Sequence, residues 1–176
     1  MGMQPLAEGK SGHSYPLCLV ECENCGLVQL SYVVDPAEVF QPDHPYSTGN
    51  SAMLRKHYAD LASRLAVPLL TGDVVVDIGA NDGTFLRSFS GRTGNPDLKL
   101  IAVEPTDQIR KPATYGNQAP LEIYQDFFTW TLAHEIHAKH GPAKIITACN
   151  VLAHVPDVHG FLDGVAELLA DDGVFV

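Results

Sequence analysis

"VVVDIGANDGTFLRSF", residues 74–89, is the stretch that decides the fold of this chain. Its opening run of valines is continuous rather than alternating, which fits a strand buried on both faces. Gly79 and Gly83 supply a turn after that strand, and the segment from Gly83 reads as helix. A strand, a glycine turn and a helix in this order place backbone N–H groups where a nucleotide can be held. The spacing says which kind. A dinucleotide turn is G-x-G-x-x-G, with closely spaced glycines that let the backbone approach a pyrophosphate. Here the order is Asp77-Ile-Gly79-Ala-Asn81-Asp-Gly83, with a single glycine at the first bend and an acid just before it. A carboxylate at that place repels a pyrophosphate and suits a ligand with a cationic amino group.

The pattern around this stretch is that of an α/β sheet. "LKLIAVE", "LEIY" and "AKIITACNV" read as further strands, and "GVFV" begins another at the end of the sequence. Between them the sequence predicts helices over 83–91, about 129–140 and about 157–170, the last opened by Asp157 as N-cap, and a short helical region broken by Pro112. Strand–helix alternation with apolar strands implies a parallel sheet covered on both faces. Upstream, Leu54, Tyr58, Leu61 and Leu65 recur at helical spacing until Pro68. Residues 1–46 are rich in turn formers and cysteine, with "GLVQLSYVV" suited to a short strand or hairpin. Two regions result: a small N-terminal region, 1–46, and an α/β core, 47–176. A strand that starts at Gly173 and stops at Val176 reads as an interrupted core.

Composition narrows the function. The 176 residues are enough for one domain with a real core, and a formal net charge of −10 without a basic run argues against nucleic acid and anionic membranes as partners. No stretch is long and apolar enough to span a bilayer, and the N-terminus lacks the features of a signal peptide, so the expectation is a soluble cytoplasmic protein. Nothing in the sequence sets an oligomeric state.

Two further strand ends carry acids. Glu104, in "AVEP", stands where a carboxylate can accept both hydroxyls of a ribose. Asp126, in "QDFF", can accept from an adenine amino group, with Phe127 against the ring. An ammonium, a ribose and an adenine in that order describe S-adenosylmethionine (SAM). "DIGANDGTFL", "AVEP" and "DFF" together resemble motif I and its successors in class I SAM-dependent methyltransferases. That resemblance implies a Rossmann-like sheet, with Asp77, Gly79, Asn81, Gly83, Glu104, Asp126, Phe127 and Asn150 around the cofactor. It also implies that the first and fourth core strands are neighbours, which sends Asn150 and His154 of "CNVLAHVPDVHGF" toward the methyl group. An imidazole there can donate to a developing oxyanion or remove a proton.

The chain also resembles a narrower group, the C-methyltransferases of deoxysugar biosynthesis that act on nucleotide-linked keto sugars. "YPLCLVECENCGLVQLSYVV", "YSTGNSAMLRKHYADLA", "DIGANDGTFL" and "NVLAHVPDVHGFLDGVAELL" carry that resemblance. By the family's pattern Tyr46 and His154 match active-site positions, the substrate is a small nucleotide sugar, and the methyl acceptor is an enolate carbon. The family's base, in a Tyr/Glu/His-bearing motif, and a further Rossmann-like domain would lie beyond Val176. A methyltransferase with another small acceptor, a SAM-binding fragment without turnover and an NAD oxidoreductase stay open as alternatives.

The cysteines bear on a metal. Cys22-Glu-Asn-Cys25-Gly is a knuckle in which two thiolates can grip one Zn²⁺. The resembled family has a second pair, and here Cys18 and His13 are the nearby substitutes; an emptied remnant is the alternative. Cys149 reads as a small core residue. "HEIHAKH", residues 134–140, superficially resembles a zinc-protease motif, but His134 and His137 are three apart rather than four, and a solvated helix face is the reading.

Overall fold

The computed structural model describes residues 14–66, 69–90, 97–110 and 119–176. The N-terminal region opens with a two-stranded antiparallel hairpin, β1 (Leu19–Glu21) and β2 (Val28–Leu30), whose six strand residues are all exposed. A single helical turn, α1 (Pro36–Val39), follows, with the Asp35 carboxylate accepting from the Ala37 N–H at 2.9 Å. The first long helix, α2 (Ala52–Leu65), is capped by Ser51 and turns Tyr58 and Ala62 inward, with Leu54, Leu61 and Leu65 packed beside them. These are the positions whose spacing predicted it; Pro68 lies outside the described residues.

The core is a five-stranded parallel sheet of β3 (Val74–Ile78), β4 (Lys99–Val103), β5 (Glu122–Tyr124), β6 (Ala143–Thr147) and β7 (Leu169–Phe175), in the order β5-β4-β3-β6-β7. The helices after the first, third and fourth of these strands are α3 (Thr84–Arg87), α4 (Trp130–His140) and α5 (Val158–Leu168). This is the expected Rossmann-like fold. Successive residues of a strand face opposite sides, so β3 feeds two cores. Val75 joins Tyr58, Phe85, Phe89 and Ala102 beneath α2 and α3, while Val74, Val76 and Ile78 join Ile136, Phe161 and Leu168 beneath α4 and α5. All five β3 residues are buried, as its uninterrupted apolar run requires. Asp77 is the polar exception, on the α2–α3 side and opposite Thr147 of β6 in the register.

Three boundaries differ from the sequence reading. The α3 helix is one turn long rather than reaching 91, because the chain passes into turns at 88–90 where the Ser88 hydroxyl donates back to the Thr84 carbonyl. After β4 the chain forms a 3₁₀ turn over Asp107–Arg110, and Pro112 lies outside the described residues. The last strand starts at Leu169, directly after α5, rather than at Gly173. Its register jumps from Ala143↔Leu169 to Ile145↔Val174, so residues 170–173 bulge out, with Asp172 ion-paired to Lys144.

Candidate functional site

Strand order reverses between β3 and β6, and outside the carboxyl ends of the strands lies a cleft of about 960 Å³. That is at the upper end of the range of about 300–1,000 Å³ for small-molecule sites. Its floor is the end of β3. Asp77 is 4% exposed, and burial, opposed by the Thr147 hydroxyl bond and reinforced by Glu104, raises its carboxyl to about 7. Thr147 Oγ1 donates to Asp77 Oδ1 at 2.6 Å. Gly79 follows at φ +68°, where a side chain is strained and a Cβ would stand 2.5 Å from Val151. Bare backbone therefore forms the wall at the first bend.

Glu104, 5% exposed, holds the next strand end in place. Its two oxygens accept the Asn81 and Thr106 N–H groups, each at 2.8 Å. Each oxygen keeps a second lone pair, so the carboxylate both fixes the glycine turn and can take hydroxyls from the cleft. After β5, Asp126 is exposed on the cleft wall, Phe127 is half-buried beside it, and Phe128 packs edge-on against Phe161. After β6, Asn150 sits at φ +59°, a conformation asparagine tolerates. Its side chain lies near the Tyr58 hydroxyl. His154 is exposed at the rim, edge-on to Phe40, and Tyr46 stands on the same cleft, partly exposed.

Nine of the ten organic-site residues read from the sequence thus lie on one cleft: Asp77, Gly79, Asn81, Glu104, Asp126, Phe127, Asn150, Tyr46 and His154. Gly83 does not. It lies off the wall at φ +74°, where a Cβ would collide with the Arg87 side chain and stand 2.9 Å from Leu121, and its backbone starts α3. Asn81 is on the wall, but its side chain is turned toward the loop before α2. Asn81 Oδ1 accepts the Thr48 N–H at 2.8 Å and Nδ2 donates to the Tyr46 carbonyl at 3.0 Å.

Several wall residues were not singled out as site residues. Tyr58, stacked on Phe85 at 4.7 Å, was read only as a helix core position. Burial, with smaller contributions from Cys149 and Asp77, pushes its hydroxyl up to about 12, so it stays protonated and donates rather than acting as a base. Cys149 packs against the core as expected and also lines the cleft; burial, then Asp77, raises its thiol to about 11, which makes it inert. Phe40 and His44 line the cleft from the N-terminal segment. That segment is bonded to the core through Asp107 N–H to the Pro42 carbonyl, 2.8 Å, and through Gln108 to the His44 carbonyl. A signal for Thr147 was present: the polar residue that ends "AKIIT" stands level with the lone polar residue in "VVVDI".

The metal expectation is not supported. Cys22 and Cys25 face each other across the knuckle, and N–H groups of Cys25 and Asn24 pull the Cys22 thiol down. Cys18, however, lies at the other end of β1, and four residues of extended chain span roughly 13 Å, too far to share an ion with Zn–S bonds of about 2.3 Å. His13 lies outside the described residues. Among the described residues no group of three or more ligating side chains assembles, so those donors do not by themselves complete a tetrahedral site. The histidines of α4 are likewise not a plain solvated face. His134 Nδ1 meets Glu167 Oε1 and His137 Nδ1 meets the Glu167 carbonyl, both at 2.8 Å, which pins α4 to α5.

Residues 52–176 match the family described as Methyltransferase domain. The chain is 32% identical over 163 residues to C-methyltransferase NovU of Streptomyces niveus, a match covering 92% of this chain and 37% of that protein. Solved structures similar to it include one from Plasmodium falciparum, assigned as a protein-L-isoaspartate O-methyltransferase and bound to S-adenosyl-L-homocysteine. That pair shares 14% identity and a TM-score of 0.48, over 71% of this chain and 58% of that one. A SAM-dependent methyltransferase from Agrobacterium tumefaciens aligns with 11% identity and a TM-score of 0.42, over 67% and 41% of the two chains. The chain belongs to the methyltransferase domain family, on the Rossmann-like class I fold of SAM-dependent methyltransferases. It spans 37% of the length of the curated relative it matches.

Proposed function

We propose that this chain holds SAM across the carboxyl ends of β3, β4 and β5 and directs its methyl group to a carbon beside a ketone of a nucleotide-linked deoxysugar, through an enolate. The observation that carries the reading is the convergence on one cleft of three strand-end acids, Asp77, Glu104 and Asp126, with Tyr46 and His154 at the rim. The likeness to a protein named as a C-methyltransferase supports carbon as the acceptor atom.

The donor set fits the cofactor. Asp77 would face the ammonium, Glu104 the ribose hydroxyls, and Asp126 with Phe127 the adenine. When bound, SAM supplies an electrophilic methyl on a cationic sulfur. The chain's own residues then orient and shield. Val151 and the bare Gly79 bend set how closely the cofactor approaches the backbone, and Asn150, with Tyr58 nearby, stands on the methyl side. Tyr46 and His154 offer donors where an enolate oxygen develops, which stabilises charge that grows only toward the transition state.

One observation favours a second reading of the acceptor. Among the described residues the cleft is lined by the carboxylates Asp35, Asp77, Glu104, Asp126 and Asp157 and by no lysine or arginine. A diphosphate gains nothing from that wall. The part of the acceptor inside the cleft is therefore neutral or cationic, and a small molecule without phosphate is the alternative substrate.

Calorimetry with SAM, S-adenosylhomocysteine and NAD tests the cofactor; tight NAD binding with no response to SAM overturns it. A methyl-sized mass increase on a nucleotide-linked keto-deoxysugar, with deuterium uptake beside its ketone, tests the acceptor. Methylation confined to other small molecules replaces the deoxysugar assignment.

A further inference from the structure

The glycine turn makes contacts that holding a cofactor does not require. The loop Tyr46–Gly49, just before α2, is fastened to the side chains of Asn81 and Asp82. Asn81 bonds the Thr48 N–H and the Tyr46 carbonyl. Asp82 Oδ2 accepts the Ser47 hydroxyl at 2.5 Å and the Gly49 N–H at 2.6 Å, while Oδ1 accepts the Thr84 N–H at 3.0 Å. Asp82 is buried, 9% exposed. Gly49 itself is close-fitted: a Cβ there would stand 2.8 Å from both Asp82 Oδ2 and Thr84 Oγ1. From the other side the Arg55 guanidinium donates to the Gly49 carbonyl at 2.5 Å.

We infer that Asp82 and Asn81 are positioning residues: they hold the Tyr46 loop in register with the cofactor turn, so that the acceptor side of the cleft is set by the element that binds the cofactor. Two chemical facts support this. Both side chains are engaged within the protein: the amide uses one N–H and its oxygen, and each carboxylate oxygen accepts at least one bond. The bonds to Asp82 are also charge-assisted, the stronger kind. Four of the five bonds reach the backbone or hydroxyl of a four-residue loop more than thirty positions earlier in sequence. Local turn chemistry needs only the Thr84 bond. The loop's one large side chain, Tyr46, lines the cleft, with Thr48 beside it.

The inference rests on the reading of Tyr46 as an acceptor-side residue, and the experiment separates the two. Asp82→Ala, Asp82→Asn and Asn81→Ala are compared with the unaltered chain by hydrogen–deuterium exchange, by calorimetry with SAM, and by calorimetry with a nucleotide-linked keto-deoxysugar in the presence of S-adenosylhomocysteine. In D82A the Thr48 and Gly49 amides should exchange at least about tenfold faster while the β3 amides stay protected, as expected for loss of charge-assisted bonds. SAM affinity should stay within about threefold, sugar affinity should fall about tenfold or more, and D82N, which keeps an oxygen acceptor, should recover most of it. Parallel loss of both ligands in D82A, or unchanged exchange at residues 48 and 49, overturns the inference. If the unaltered chain binds SAM but not the sugar, the acceptor reading fails, and the exchange data alone decide whether Asp82 holds the loop.

Discussion

Thr147 Oγ1 lies 2.6 Å from Asp77 Oδ1, across the pair of strands where sheet order reverses, and both side chains are buried. The hydroxyl donates to a carboxylate that burial has lifted from 3.8 to about 7. Asp77 is therefore half-ionised near neutral pH, and a cationic ligand favours its charged form.

Cofactor affinity should rise as pH climbs through about 7 and fall roughly tenfold per unit well below it, because the ammonium pairs only with the ionised carboxylate. Stability should run the other way. The folded state keeps a proton between about 4 and 7 that the unfolded chain has lost, so stability declines over that window and levels off above it. Asp77→Asn should remove both dependences and leave affinity low at every pH. Thr147→Val, which removes a bond that favours the carboxylate, should move the affinity rise to higher pH. Calorimetry with SAM at pH 6, 7 and 8, beside urea unfolding at the same values, checks the pair of slopes.

Glu104 makes a second prediction, with two effects that separate. Its oxygens satisfy the Asn81 and Thr106 N–H groups in a buried setting. Glu104→Ala leaves both donors unpaired, which costs about 1–3 kcal/mol for each group that water cannot reach, and also removes the ribose acceptor. Glu104→Gln keeps one acceptor oxygen, and should recover part of the stability but less of the SAM affinity. Unchanged affinity in the alanine variant, measured by calorimetry on folded protein, would mean that the end of β4 does not face the ribose.

How much of this could be read from the sequence depends on the length scale of each interaction. The β3 turn, the helix cap at Asp157 and the strand-end acids are local patterns, and they stand where the residues put them. Pairings across the chain have no local signature. Asn81 and Asp82 read as part of a cofactor turn, and only the fold shows that their side chains grip residues 46–49. Tyr58 fits a helical apolar stripe, and periodicity cannot tell a core ring from one whose hydroxyl reaches a cleft. Gly83 was assigned to the cofactor by its place in a motif, whereas a left-handed start to α3 explains it. The β7 bulge was hidden because "LADDGV" reads as a turn before a strand rather than one strand with three extra residues.

Gly79 provides a test of close approach. Alanine at φ +68° carries backbone strain of about 1–3 kcal/mol, and its methyl would press on Val151. Gly79→Ala should lower the thermal midpoint and weaken SAM binding. Adding Val151→Ala should relieve the steric part only, so the double variant should regain some stability but not all of it. Full recovery would show that the contact, not the conformation, makes glycine necessary.

Tyr58 separates packing from polar positioning. Its ring stacks on Phe85 inside the α2–α3 core, and its hydroxyl lies near Asn150 on the cleft wall. Tyr58→Phe keeps the ring and should cost no more than about 1.5 kcal/mol, the net worth of one hydrogen bond. Tyr58→Ala opens a cavity and should cost about 3–5 kcal/mol. If the hydroxyl matters through Asn150, Tyr58→Phe and Asn150→Ala should each weaken SAM binding several-fold, and the double variant should be no weaker than Asn150→Ala alone. Additive losses would mean that the two side chains act separately, and the Tyr58 hydroxyl would then meet the ligand itself rather than through its neighbour.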